Sequence, residues 1–168
     1  MLPKGLQDAL NEQIKNELYS AYLYLGMSAY FEATNLPGFA HWMRVQAREE
    51  VSHAMKFFDF INDREGRVQL QAISQPPGDF RSPLDAFQQA LEHERRVTGN
   101  IRHLRELAMQ TSDYEAEPLL EWFIGEQVEE EKTASSIGEQ LKRVGDQGVG
   151  LLILDRELGQ RKASANET

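Results

Sequence analysis

In the stretch REEVSHAMKFFDF, Arg48 to Phe60, Glu50 and His53 lie three residues apart. The run has helical periodicity, and both residues fall on its apolar face, where Leu or Ile would be expected. They interrupt a stripe made of Met43, Gln46, Phe57 and Phe60. Three other stripes carry the same defect. Glu17 breaks the row Leu10, Ile14, Ala21, Tyr24, Ser28, Phe31. Glu94 breaks Phe87, Ala90, Val97, Ile101, Leu104, Ala108, and Gln127 with Glu130 breaks Leu120, Phe123, Ala134, Ile137, Leu141.

An ionised carboxylate in a dry core costs several kcal/mol even after relaxation, about the scale of a domain's whole stability. Clustered carboxylates also repel one another, so some must take up protons. No Lys or Arg occupies the four stripes at this depth. Dications supply the missing positive charge, since buried charges are paired or metal-bound. Taken singly, a mid-helix Glu is more often solvated, His53 a hydrogen-bonded core residue, Tyr24 a packing residue and Gln127 an ordinary buried amide. Four such defects on four helices at one depth reverse that preference.

Oxygen-rich ligands with a single imidazole suit iron or manganese, and zinc less specifically. Bundle di-iron proteins use a Glu from each of two helices and Glu-x-x-His from two others. Here Glu17 and Glu94 supply the first pair and Glu50-x-x-His53 one motif. The fourth helix departs, offering Gln127-x-x-Glu130 without a His. Glu17, Glu50 and His53 are assigned to one metal. Glu50 bridges to a second, held by Glu94 and Glu130, with Gln127 beside it as a weak ligand or hydrogen-bond partner. The second metal then has fewer strong ligands and exchanges more easily.

These residues need four long helices to carry them. The first pattern runs from about Gly5 to Ala33 and stops at Asn35-Leu36-Pro37-Gly38. The second opens at Pro37 and continues to about Glu65, where Gly66 is expected to supply a left-handed cap. Arg67 to Arg81 shows no helical stripe and contains Pro76-Pro77-Gly78. Ser82-Pro83-Leu84-Asp85 reads as a helix start, with Ser82 as cap and Asp85 reaching back. The third helix runs to about Gln110, and a fourth from near Glu115 to Val144, with Pro118 in its first turn. A short fifth helix is expected in LLILDREL. Each long helix spans roughly 42 Å, and the segment from Arg67 to Arg81 reaches roughly 50 Å if extended. It can cross the whole bundle, giving the order up, down, down, up. Glu17, Glu50, Glu94 and Glu130 each lie within about 4.5 Å of a helix midpoint, so they meet whichever way each helix points.

Composition sets the outer limits. The chain has 168 residues, 40% apolar and 27% charged, as in globular domains. It has no Cys, which excludes disulfides, thiolate metal sites and cysteine nucleophiles and suits a cytoplasmic protein. The N-terminus MLPKGLQDAL lacks the apolar core of a signal peptide, and no apolar run reaches membrane-spanning length. A net charge of −9 disfavours nucleic-acid binding and favours cationic partners such as metal ions.

From LNEQIKNELYSAYLY through REEVSH and EQVEEEK to GLLILDREL, essentially its whole length, the chain resembles the bacterial non-haem ferritins. The resemblance implies an all-α, ferritin-like four-helix bundle with a long crossover between the second and third helices and a short fifth C-terminal helix. It implies one domain over 1–168, with the bundle at about 5–144, the fifth helix at about 148–159 and a frayed tail at 160–168. It also implies a homo-oligomeric hollow shell of two dozen chains. In such a shell ferrous iron is oxidised by dioxygen or hydrogen peroxide inside each bundle and stored as ferric mineral. A third metal position is implied on Glu49, Glu126 and Glu129, sharing Glu130. A solvated acidic face is the competing reading of EQVEEEK. Tyr24 matches the family tyrosine that supplies an electron beside the centre, whereas Trp122 is expected to pack. Bacterioferritins carry His in the second motif and a haem-binding Met where this chain has Ser52, so no haem is expected.

The main alternative is a di-iron, peroxide-scavenging oxidoreductase without mineral storage. Such enzymes usually need an electron-transfer module, often with Cys-bound iron. A DNA-coating miniferritin would put ligands between subunits and a helix in the long connection, and often carries a basic arm. A plain interaction bundle would leave the polar slab unexplained.

Overall fold

The computed structural model describes residues 2–163, and no strand occurs among them. Five α-helices follow one another: α1 (Lys4–Ala33), α2 (Pro37–Asp63), α3 (Pro83–Gln110), α4 (Glu117–Val144) and α5 (Val149–Leu158). A single 3₁₀ turn, Tyr114–Ala116, precedes α4. It delays the α-helix by two residues from the expected start near Glu115. Asp113 caps this turn by accepting the Ala116 N–H at 3.1 Å. The expected tail at 160–168 falls partly outside the described residues, at 164–168. Its described part is anchored: Arg161 pairs with Glu49 at 2.5 Å and stacks over Trp42.

Three helix ends share one device. After α1, α2 and α3 the chain turns through a residue of positive φ: Asn35, Glu65 and Ser112. In each case the following N–H reaches back to a carbonyl five residues earlier, as Gly66 does to Ile61 at 2.8 Å. The left-handed residue after α2 is therefore Glu65, and the expectation for Gly66 is corrected. Gly66 is needed for space, because a Cβ there would lie 2.8 Å from Gln7 Oε1 and 2.9 Å from the Ile61 carbonyl. At the start of α3, Ser82 Oγ accepts the Asp85 N–H at 3.1 Å as expected. Asp85 reaches one residue further back than a capping box, to the Arg81 N–H and guanidinium.

Two apolar clusters define the helix directions. One joins the end of α1 (Met27, Phe31), the start of α2 (Phe39, Met43), the start of α3 (Phe87, Ala90) and the end of α4 (Ile137, Leu141). The other joins the opposite ends: Leu6 and Leu10, Phe57 and Ile61, Ile101 and Leu104, Leu120 and Phe123. So α1 and α4 run one way, α2 and α3 the other, and the order is up, down, down, up. A bidentate Arg64–Asp113 pair, 2.9 Å on each arm, ties the end of α2 to the α3–α4 turn. The expected stripes are buried throughout, with one exception. Phe60 is half-buried and Ile61 takes its place in the core, because a strict 3.5 repeat drifts on a helix of 3.6 residues per turn.

The connection before α3 climbs along α1. The Arg67 N–H donates to Gln7, the Asn11 side chain clasps Arg67 and Gln69, and Phe80 packs edge-on against Tyr30 near the far end. At Gly26 the strap comes so close that a Cβ would stand 2.9 Å from the Pro77 carbonyl.

Helix α5 closes one end of the bundle. Asp155 Oδ1 accepts the Phe39 N–H at 3.0 Å, capping the first turn of α2 from another element. A Cβ on Gly38 would fall 1.6 Å from the Asp155 carbonyl oxygen, so only glycine permits this approach. Gly38→Val should therefore undock α5 and cost on the order of 2–4 kcal/mol. Hydrogen exchange should show faster exchange in α5 with protection in α1–α4 retained, and unchanged α5 protection would refute the role given to Gly38.

Candidate metal centre

Between the two apolar clusters lies a slab of buried polar side chains. Glu17 and Glu94 are 1% exposed, Glu50 2%, Gln127 3%, His53 4% and Glu130 7%. Each is placed by one helix: Glu17 by α1, Glu50 and His53 by α2, Glu94 by α3, Gln127 and Glu130 by α4. The i, i+3 spacing stacks Glu50 on His53 and Gln127 on Glu130 within one turn, facing the same way.

The ligand atoms gather in groups whose members all lie within 4.8 Å of one another. One group is Glu17, Glu50 and His53; a second is Glu50, Glu94 and Glu130. Glu50 belongs to both, as a bridging carboxylate must. Its Oε2 accepts from His53 Nδ1 at 3.2 Å, while its Oε1 faces the other way and accepts from Gln46 at 2.8 Å. Tyr24 donates its hydroxyl hydrogen to Glu94 Oε1. The Gln127 amide donates to Glu94 Oε2 and to the Glu94 carbonyl, both at 3.1 Å. Here Gln127 acts as a hydrogen-bond partner of Glu94.

The third position implied by resemblance is drawn differently. Glu126 joins His53 and Glu130 in a third group, with Glu126 Oε1 3.8 Å from His53 Nε2. Glu129 is exposed and belongs to none of the groups. Glu49 is held by Arg161. Trp122 packs edge-on to His53 at 5.5 Å, with Lys56 over its outer face.

Two amides have roles that the residue types alone did not reveal. Gln13 donates to Glu17 at 2.7 Å, and Gln46 donates to both Glu50 and Glu130. Each lies four residues before a buried Glu on its own helix, so a repeated Gln-x-x-x-Glu was the available signal. His93, next to Glu94, belongs to none of the groups and pairs with Ser20 Oγ at 2.7 Å. Burial holds its pKa down at about 4, so it is neutral.

Three of the four acids are uncompensated, and the fourth, Glu50, is balanced by His53. Burial, then the Glu50 charge, raises Glu17 well above the ordinary carboxylate range, and the same two causes raise Glu130. Glu94 rises to about 8, by burial first and Glu50 second. For Glu50 burial acts upward, but the hydrogen bond and charge of His53 and the Gln46 amide bring its pKa below the usual value. His53 is raised: burial opposes the imidazolium, and Glu50, Glu126 and Glu49 outweigh it. Burial, then Glu94, raises Tyr24, which keeps its hydroxyl proton.

The donor set fits dications. It has carboxylate oxygens from four helices, one imidazole and a shared Glu50, and among the described residues the ion pairs of these four acids are with His53. One further buried acceptor, Gln46 Oε1, has no hydrogen-bond partner. Metal binding would release the protons that the acids otherwise retain.

In the folded metal-free chain Glu94 keeps its proton up to about pH 8, whereas unfolded it ionises near 4.5. Between those values the folded state binds more protons, so stability falls as pH rises through that window. Metal-free Glu94→Gln should then gain on the order of 2 kcal/mol over wild type at pH 8, several degrees in Tm, and little at pH 4.5. An equal Tm difference at both pH values would show that Glu94 does not carry this burden.

The family model described as a ferritin-like domain matches residues 7–144. A bacterial non-heme ferritin of Bacteroides fragilis is 42% identical over 161 residues, 96% of this chain and 100% of the relative. One from Staphylococcus aureus is 39% identical over 96% of this chain and 97% of its own. The crystal structure of an open pore ferritin from the hyperthermophilic archaeon Archaeoglobus fulgidus superposes with a TM-score of 0.95 at 48% identity, covering 96% of this chain and 100% of that one. With four helices closing around one acidic slab, and likeness of this extent over almost the whole length, the chain belongs to the ferritin family.

Proposed function

We propose that this protein oxidises ferrous iron at a two-metal centre inside each bundle and stores the ferric product in a homo-oligomeric shell, in the cytoplasm. The observation that carries the reading is Glu50. It is shared by two buried groups of metal-capable atoms in which His53 is the one side chain paired with the carboxylates.

The substrate is a pair of Fe(II) ions. Glu17, Glu50 and His53 receive one; Glu50, Glu94 and Glu130 receive the other. His53 and the carboxylates give up protons as iron arrives. Each Fe(II) yields one electron to a dioxygen, which takes up two protons and leaves as hydrogen peroxide. With peroxide as oxidant, the same two electrons and two protons produce two waters. The chain's part is to hold two ions side by side in a site walled by apolar side chains. Tyr24 orients Glu94 through its hydroxyl, which donates to Glu94 Oε1 beside the second position. Gln127 donates to the other Glu94 oxygen, which weakens Glu94 as a ligand of the second position and favours release of product. A third iron position would rest on Glu126 and Glu130 beside His53. Glu129, exposed and outside these groups, and Glu49, held by Arg161, would join it only by moving.

Aerobic addition of Fe(II) tests the oxidase role through the growth of ferric absorbance. Glu50→Ala with His53→Ala should slow the initial phase at least about 100-fold, to near the uncatalysed rate, with helix content unchanged. A rate equal to wild type would exclude the centre. Size-exclusion chromatography tests storage separately: a species on the order of hundreds of kilodaltons is expected, and a monomer or dimer would end the shell.

A further inference from the structure

Gln46 lies on α2 one turn before Glu50 and is completely buried. Its amino group divides two hydrogen bonds between helices, to Glu50 Oε1 on α2 at 2.8 Å and to Glu130 Oε2 on α4 at 2.9 Å. These carboxylates, with Glu94, form the second group of metal-capable oxygens. The other Glu50 oxygen faces His53 and the first group. Gln46 therefore touches the bridging carboxylate only on its second-position side. Its own carbonyl oxygen is buried without a hydrogen-bond partner. A side chain retained for packing alone would not bring that cost, since Met or Leu fills similar volume without a polar atom.

We infer that Gln46 is a positioning residue for the second metal position: its amino group sets the separation of Glu50 and Glu130 across the α2–α4 gap before any ion arrives. A neutral donor suits this task. A Lys or Arg there would also draw the two carboxylates together, but as a cation it would compete with the metal for both. Carboxylates already held in place lose less conformational freedom on binding, and outer hydrogen-bond partners of ligands act on affinity in this way. Gln13 donates to Glu17, a member of the first group alone.

The inference rests on the two-metal reading, and anaerobic Co(II) titration of the assembled protein separates the two. Wild type should take up at least two Co(II) per chain, the first two in separate calorimetric steps, each with its own visible absorption band. In Gln46→Met the second step should weaken about 10- to 100-fold and the first stay within roughly twofold, with helix content unchanged. Gln46→Leu should do the same and stands in if the Met variant folds poorly. Two steps that weaken together, or a second step of wild-type affinity, would overturn the positioning role while leaving the centre intact. A wild-type chain that binds no Co(II) would overturn the centre and this inference with it.

Discussion

Burying like charges without a counter-ion is the constraint that organises this molecule. Glu17, Glu50, Glu94 and Glu130 converge from four helices into a slab less than a tenth exposed. Among the described residues their ion pairs are with His53, which reaches Glu50 and Glu17 but not the other two. Without metal the cluster persists by keeping protons, on Glu17, Glu94 and Glu130, and by accepting amide hydrogens from Gln13, Gln46 and Gln127. Both devices leave the oxygens available. A proton can be displaced by a cation, and an amide does not compete as a cation would.

The apolar core is divided as a consequence. One cluster fills the end where α5 docks and the other fills the end where the α3–α4 turn meets Arg64. Each cluster draws side chains from all four long helices, so each fixes the helix ends independently. The polar slab between them inherits its geometry from that double anchoring. This is how a group of mutually repelling side chains is held at short range: the packing energy is spent at the two ends and the strain is carried in the middle.

The strap and α5 serve the same end. The connection between α2 and α3 has to span the bundle for α3 to run parallel to α2. It does so against α1, held by Gln7 and Asn11 at its start and by Phe80 at its finish. Helix α5 returns to the first turn of α2 and supplies the acceptor that Phe39 lacks within its own helix. The chain beyond α5 reaches further, to Trp42 and Glu49 on the same helix. The helix that carries Glu50 and His53 is thereby gripped along its first half by residues from the far end of the sequence.

Much of this was legible in one dimension because helical periodicity is a local property. Four stripes, each broken once by a carboxylate near mid-helix, were enough to name Glu17, Glu50, His53, Glu94, Gln127 and Glu130 as neighbours. The length of the Arg67–Arg81 segment was enough to set the helix order. What periodicity could not carry was anything that depends on fractions of a turn or on distant partners. The drift of the 3.5 repeat moved Phe60 aside for Ile61. The left-handed position after α2 fell on Glu65 because the last hydrogen bonds of that helix close there, and Gly66 proved a question of space. Glu49 and Glu129 share helices with Glu50 and Glu130, yet one is drawn to Arg161 and the other points outward.

The amino-acid sequence by itself determined which residues share a helix face and at what depth, since both follow from 3.6 residues per turn and a rise of 1.5 Å. It determined as well that the buried acids lack a cation on their own stripes. Only the tertiary structure decided which oxygen meets which donor. Gln46 spans to Glu130 across 84 positions, Tyr24 to Glu94 across 70 and Arg161 to Glu49 across 112. Such pairings are set by how helices rotate and tilt as their apolar ends pack, and no local rule of the chain encodes that rotation.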